Sequence, residues 1–88
     1  MSYFGSRPGS GSGTYNPVYA ETPAGTIDGT NDAFSLSLIP SPSGSLQIYL
    51  NGMLQQQGLT NDYVLSGLNI TFSAAPTGGS TLLAFYNT

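Results

Sequence analysis

The chain has 88 residues, no cysteine and no histidine, and a formal net charge of −3. These counts exclude disulfides, thiolate zinc sites and histidine-based catalytic triads. Hydrophobic residues make up 39% of the chain and charged residues only 6%, which allows one small core but no basic cluster for nucleic-acid phosphates.

The low charge predicts that part of the surface is covered in a permanent assembly. Ordinary soluble domains have roughly 25% charged residues, and a surface with few charges protects strand edges poorly against association. The alternative is a domain kept in solution by serine, threonine, asparagine and glutamine side chains. No segment has the apolar run of a signal peptide or a membrane span, so we expect no secretion and no membrane partner.

Residues 1–23 are rich in glycine, serine and proline, a composition typical of a linker. Large apolar side chains are nevertheless spaced through this segment, and a pure spacer has no use for them. An aromatic ring can bury roughly 150–250 Å² on a neighbour. We therefore expect an extended arm that docks on a partner or on another copy. Its predicted contact residues are Tyr3, Phe4, Tyr15, Val18 and Tyr19.

Residues 24–88 predict an all-β domain. Apolar residues alternate with polar ones in AFSLSL and in LQIYL, which indicates two strands with one face on a core. Proline and glycine in the intervening IPSPSGS predict a loop. The predicted core residues of the two strands are Phe34, Leu36, Leu38, Leu46, Ile48 and Leu50.

The segment IYLNGMLQQQG predicts a β-hairpin around Asn51 and Gly52. A two-residue type I′ turn pairs Tyr49 with Leu54, whereas a three-residue loop with a glycine bulge pairs Tyr49 with Met53. Neither register buries every apolar side chain. The hairpin is therefore predicted to belong to the fold and also to supply contact residues, namely Tyr49, Met53 and Leu54.

Two further strands and a closing strand follow. DYVLSGLNITF predicts a second hairpin that turns at Ser66 and Gly67, so that Tyr63 faces Ile70. TLLAFYNT is apolar on both faces, which predicts a central strand or a strand whose outer face another subunit covers. Short strands separated by turn signals favour a small antiparallel β-sandwich, immunoglobulin-like or a partly open barrel.

The segment DGTND contains the two acidic residues that lie closest in sequence, Asp28 and Asp32. With Asn31 they could supply calcium ligands, but Thr30 stands where a second Asp or Asn is expected and no bidentate Glu follows. As an acid–base pair they would lie on one short turn of a domain too small for a deep cleft. Asp, Gly and Asn favour turns, so we predict a turn, with no metal, no cofactor and no catalytic residue.

Three tyrosines could offer rings for stacking on sugars, namely Tyr49, Tyr63 and Tyr86. A tyrosine in a strand is more often a half-buried packing residue. A glycan-binding module that uses Tyr49 and residues 53–57 is therefore an alternative function and not the first expectation.

The order of five short motifs resembles a small β-sandwich module of structural proteins in tailed bacteriophages. Between Thr26 and Tyr86 the motifs are DGTN, IYLNG, DYVLSGLNITF, APTGG and a last apolar strand ending in tyrosine. The chain departs from the family pattern after NG, where MLQQQG is neutral, and at Ser80, where an acidic residue is common. The resemblance implies a virion component without enzymatic activity, whose partners are other virion proteins and copies of itself.

We therefore expect a non-enzymatic virion subunit of a tail, neck or fibre attachment, docked through an arm of residues 1–23. Residues 24–88 would form its β-sandwich domain. A capsid decoration protein and a host-glycan-binding module are the alternatives. The resemblance implies assembly in the host cytoplasm and a final location in the virion.

Overall fold

The computed structural model describes residues 16–88, which form two antiparallel β-sheets around one core. The four-stranded sheet has the order β1-β7-β3-β4 and the three-stranded sheet has the order β2-β6-β5. The predicted all-β class with antiparallel sheets is confirmed. The strands are β1 (Pro17–Glu21), β2 (Ala33–Ser35), β3 (Gln47–Leu50), β4 (Met53–Gln55), β5 (Tyr63–Ser66), β6 (Asn69–Phe72) and β7 (Leu82–Asn87).

The core lies between the two sheets, because every second side chain of a strand points to the same face. Ile48 and Ile70, one from each sheet, are fully buried. The rings of Phe34 and Phe72 meet edge to face, with their centroids 5.7 Å apart. Burial of one such side chain contributes roughly 1.5–3 kcal/mol. The core residues are Phe34, Leu36, Leu46, Ile48, Tyr63, Ile70, Phe72, Leu82, Ala84 and Tyr86.

The predicted strand AFSLSL is shorter than expected, because β2 covers only Ala33–Ser35. Leu36 is buried as predicted, whereas Leu38 is 50% exposed. The two backbone amides after Leu36 bond to side chains and not to a neighbouring strand: the Ser37 amide donates to the Glu21 carboxylate at 2.8 Å and the Leu38 amide to the Tyr86 hydroxyl at 3.3 Å. The chain leaves the sheet at this point, and the prediction that Leu38 faces the core is wrong.

The four-stranded sheet begins inside the segment predicted as an arm. β1 pairs with β7, with Val18 opposite Tyr86, and Val18 packs against the core. The pairing shifts between Val18 and Glu21, and Ala20 has a φ of 52°, which marks a bulge at this edge. The four-stranded sheet therefore includes β1, although β1 precedes residue 24. The β-branched and aromatic residues of PVYAE favour a strand, in contrast to the glycine and serine before them.

The hairpin between β3 and β4 has the two-residue turn. Asn51 and Gly52 both have positive φ, 53° and 83°, as a type I′ turn requires. Tyr49 therefore pairs with Leu54, and Gln55 faces Ile48. Of the two registers that the sequence left open, the structure has the type I′ register.

The tip of this hairpin is fixed to the start of β7 by Asn51. Its backbone N–H donates to the Thr81 carbonyl at 2.8 Å, and the Thr81 N–H donates to Asn51 Oδ1 at 2.9 Å. Asn51 Nδ2 also donates to the Ser80 hydroxyl at 3.2 Å. One side chain therefore holds the turn in place and joins it to the next strand of the sheet.

The hairpin between β5 and β6 turns at Gly67 and Leu68, one residue later than predicted. Gly67 has a φ of 60° and Leu68 is not left-handed, which is the pattern of a type II′ turn with glycine at its first central position. As a result Tyr63 faces Phe72. The prediction that Tyr63 faces Ile70 is wrong, because it placed this glycine at the second central position.

A polar cluster ties β1 to the end of β7. The Glu21 carboxylate accepts hydrogen bonds from the Ser37 N–H at 2.8 Å, from the Ser37 hydroxyl at 3.0 Å and from the Tyr86 hydroxyl. Burial, together with the hydrogen bond to Glu21, raises the pKa of Tyr86 above its ordinary value. The cluster holds the end of β1 in addition to its pairing with β7.

Replacing Asn51 tests how much the fixed hairpin tip contributes to stability. Asn51→Ala removes the side-chain hydrogen bonds and leaves a strained left-handed backbone, so we expect the free energy of unfolding to fall by about 1–3 kcal/mol. Asn51→Gly removes the same hydrogen bonds but adopts this φ without strain, so the loss should be smaller. Urea denaturation measures both, and no loss in either variant would contradict the role of Asn51.

High pH tests the raised pKa of Tyr86. The folded protein holds this phenolic proton more tightly than the unfolded chain, whose tyrosine pKa is near 10.0. The contribution of Tyr86 to the free energy of unfolding should therefore be constant below this pH and fall above it. Burial also raises the pKa of Tyr63, so Tyr86→Phe should make the fall shallower without abolishing it. Urea denaturation at several pH values measures the slope, and equal slopes in wild type and variant would contradict the prediction.

Candidate docking surface

The four-stranded sheet has one face that is turned away from the core and carries apolar side chains on every strand. Tyr49 of β3 pairs with Leu83 of β7 and with Leu54 of β4. The rings of Tyr49 and Phe85 meet edge to face, with their centroids 5.6 Å apart. We call this surface the outer face. It consists of Tyr19, Gln47, Tyr49, Leu54, Leu83 and Phe85.

The outer face contains a shallow groove of two connected hollows. The first has a volume of about 320 Å³, and Tyr49 and Leu83 are among its lining residues. The second has a volume of about 240 Å³ and reaches Pro17 and Tyr19 of β1. Gln47 and Phe85 line both hollows, so the two are continuous. All of these lining side chains are uncharged, so a ligand would be held by apolar contact and by neutral hydrogen bonds.

The two apolar faces of the last strand explain this surface. β7 is the central strand that the sequence allowed, with Leu82, Ala84 and Tyr86 in the core. Leu83 and Phe85 alternate with them and stay partly exposed on the outer face. At either side of the sheet Tyr19 is 71% exposed and Leu54 is 58% exposed. Contiguous exposed apolar side chains of this kind mark interaction sites.

The structure brings together three of the predicted contact residues, Tyr19, Tyr49 and Leu54, on the outer face. Met53 is 64% exposed at the hairpin tip, opposite Leu50 and therefore on the other side of the sheet. Val18 packs against the core, which accounts for its apolar character without a partner. The remaining predicted contact residues lie outside the described part of the chain, namely Tyr3, Phe4 and Tyr15.

Sequence reasoning did not name Leu83 and Phe85 as contact residues. The signal was present in TLLAFYNT, where both alternating sets are apolar. Which set faces the core became clear only from the pairing of β7 with β3, in which Ala84 lies opposite the fully buried Ile48.

The three tyrosines considered for sugar stacking do not form one surface. Tyr63 and Tyr86 are only 1% and 3% exposed and belong to the core. Tyr49 alone lies on the outer face, beside Phe85. A sugar platform made of all three tyrosines is therefore wrong, because strand alternation places two of them between the sheets.

A third hollow of about 580 Å³ lies at the glutamines at the end of β4 and after it, and it borders the outer face, because Gln47 and Leu54 also line it. Two of their amides already donate within the domain. Gln55 Nε2 donates to the Met53 carbonyl at 3.1 Å, and Gln57 Nε2 donates to the Ser43 carbonyl at 3.2 Å. Gln56 is exposed, and its side chain could bond to a neutral polar ligand in this hollow.

The acidic segment DGTND forms a turn held by its own side chains. Asp28 Oδ1 accepts hydrogen bonds from the backbone amides of Asn31 at 2.8 Å and Thr30 at 2.9 Å, and these bonds lower the pKa of Asp28. Asn31 Nδ2 donates to the Ala33 carbonyl at 2.9 Å. The turn interpretation accounts for the side chains of Asp28 and Asn31. Across residues 16–88 no three acidic side chains lie close enough together to hold a metal ion.

The described part of the chain has no helix with the length and apolar content that a bilayer crossing requires. The chain matches no protein-family model, no curated protein and no solved structure. The resemblance to the phage module therefore rests on the motif order between Thr26 and Tyr86, and the function that it implies stays a prediction.

Proposed function

We propose that the protein is a non-enzymatic structural subunit of a tailed-bacteriophage virion, and that it docks on its neighbours through the outer face and the N-terminal segment. The docking role is inferred from the outer face, which is uncharged and partly exposed. The motif order supports the virion role. A subunit of a tail, neck or fibre attachment is the proposed place in the particle.

Apolar contact would supply most of the docking energy. Burial of apolar surface contributes roughly 25 cal/mol per Å², and aromatic side chains are frequent among the residues that dominate interfaces. Tyr49 and Phe85 are held in one arrangement by their edge-to-face contact, so their ordering costs little entropy on binding. Because the outer face has no charged side chain, docking should depend little on salt.

Two of the acidic residues form hydrogen bonds within the domain. Asp28 caps its own turn, and Glu21 accepts hydrogen bonds at the end of β1. The proposal therefore includes no reaction step.

A capsid decoration protein is the nearest alternative within the same class. It would use the same outer face, and only its copy number would differ. Closed assemblies repeat by symmetry, so about six or twelve copies would indicate a tail or neck and hundreds would indicate the capsid.

A host-glycan-binding module is the second candidate, and the hollow beside Gln55, Gln56 and Gln57 favours it. Neutral amides bond well to sugar hydroxyls. Tyr49 on the outer face would supply an aromatic platform.

Incorporation into particles tests the docking role of the outer face. We expect the double variant Tyr49→Thr with Leu83→Thr to be depleted in purified particles by about tenfold or more, because two apolar contacts are lost. Threonine keeps a preference for strands, so circular dichroism should show the fold unchanged. Val64→Thr on the three-stranded sheet is the matched control and should be incorporated normally. Quantitative mass spectrometry of the particles gives both the depletion and the copy number, and normal incorporation of a folded double variant would contradict the proposal.

A glycan array tests the second candidate. If the protein is a structural subunit, the purified full chain should bind no glycan above background. Glycan binding that is lost in Tyr49→Ala, with the fold retained, would instead support the glycan-binding module. Gln56→Ala separates the two surfaces, because it alters the glutamine hollow and leaves the outer face intact.

A further inference from the structure

We propose that residues 1–15 of one copy lie in the groove of the outer face of a second copy. This inference rests on the proposed docking role and names the segment that binds in the groove. It makes the protein a subunit that assembles by exchanging N-terminal segments. Four features support it: the continuity of the groove, the direction in which the chain enters β1, the composition of the segment and its length.

The groove is continuous and crosses three strands of the four-stranded sheet, namely β1, β7 and β3. Its two hollows, of about 320 Å³ and 240 Å³, share Gln47 and Phe85. It runs from Pro17 at one side of the sheet to Gly52 and Thr81 at the hairpin tip. A peptide with large rings and small glycine and serine residues fits such a floor, because the rings fill the hollows and the small residues allow close approach.

The chain enters β1 along the strand direction, from beyond the end of the sheet. The Asn16 carbonyl accepts hydrogen bonds from the Thr88 N–H at 3.0 Å and from the Thr88 hydroxyl at 2.9 Å. The pairing with the C-terminal strand therefore continues through Asn16. The residue before a proline is held extended, so Pro17 opposes a sharp reversal at this point. To fill the groove of its own chain the segment would have to reverse direction before Asn16, whereas the groove of a second copy requires no reversal.

The composition of the segment matches that of the groove. Residues 1–15 have a single charged side chain, Arg7, and the aromatic residues Tyr3, Phe4 and Tyr15. The lining side chains of the groove are uncharged. The groove has no carboxylate to pair with Arg7, so docking would leave this side chain in solvent and bury the uncharged residues of the segment.

The length of the segment is sufficient. Fifteen extended residues span up to about 50 Å, whereas four strands at about 4.8 Å spacing are only about 15 Å wide. Tyr3 and Phe4 can therefore reach the groove of a neighbour while the rest of the segment bridges the gap. Each copy supplies one segment and one groove, so in a closed pair or ring every groove holds the segment of a neighbour.

Disulfide cross-linking of the full chain tests the exchange, because the natural sequence has no cysteine. Protein with Phe4→Cys is mixed with protein carrying Gln47→Cys, and the mixture is oxidised and analysed by non-reducing electrophoresis and mass spectrometry. Gln47 is exposed at the junction of the two hollows. The matched control is Thr71→Cys, which is exposed on the three-stranded sheet.

We expect the heterodimer with Gln47→Cys to exceed that with Thr71→Cys by about tenfold or more, because a docked segment raises the local concentration of its thiol. Adding Tyr49→Thr and Leu83→Thr to the Gln47→Cys chain should remove this excess. Equal yields with the two partners would overturn the exchange. A chain that carries both Phe4→Cys and Gln47→Cys provides a second measurement, and a monomer closed by an internal disulfide would also overturn it.

The outcomes separate this inference from the proposed function. If cross-linking fails but the outer-face variant is still lost from particles, the outer face docks on a different virion protein and only the exchange is wrong. If the outer-face variant is also incorporated normally, both proposals fail.

Discussion

The position of β7 in the middle of the four-stranded sheet determines most of the other features. Because β7 pairs with a strand on each side, its alternating side chains are divided between the core and the outer face. Tyr86 packs inside and reaches Glu21 with its hydroxyl, whereas Leu83 and Phe85 form the middle of the groove. The start of β7 receives the hairpin tip through Asn51. One strand thus joins the core, the edge strand β1 and the candidate docking surface.

Most of the acidic side chains form hydrogen bonds with the backbone of their own domain. Three of the four carboxylates accept hydrogen bonds from backbone amides: Glu21 from Ser37, Asp28 from Asn31 and Asp62 from Gln56. Such bonds stabilise loops that have no neighbouring strand. With one basic and four acidic side chains in the whole chain, the protein has little charge with which to steer a partner from a distance. Recognition would then depend on the shape and apolar character of the outer face.

Sequence alternation predicted the all-β class and most of the core, because its period of two is a direct consequence of strand geometry. The registers of the two hairpins were harder to predict from their turn residues. Asn51 and Gly52 allowed two registers until the structure showed positive φ at both positions, and the glycine of the second hairpin was assigned to the wrong turn position. β1 was missed because its short sequence follows a linker-like segment. Its pairing with β7 joins two segments that are far apart in sequence, and no local pattern predicts such a contact.

The bulged edge at β1 has a consequence for how copies can grow into larger structures. Pro17 has no N–H, and the irregular pairing near Ala20 twists the strand, so this edge is a poor template for adding another strand. A protein with so few charges would otherwise risk open-ended polymerisation through its sheet edges. This blunted edge opposes the addition of a further strand beside β1, so the proposed contact between copies would use the outer face of the sheet instead of strand addition at this edge.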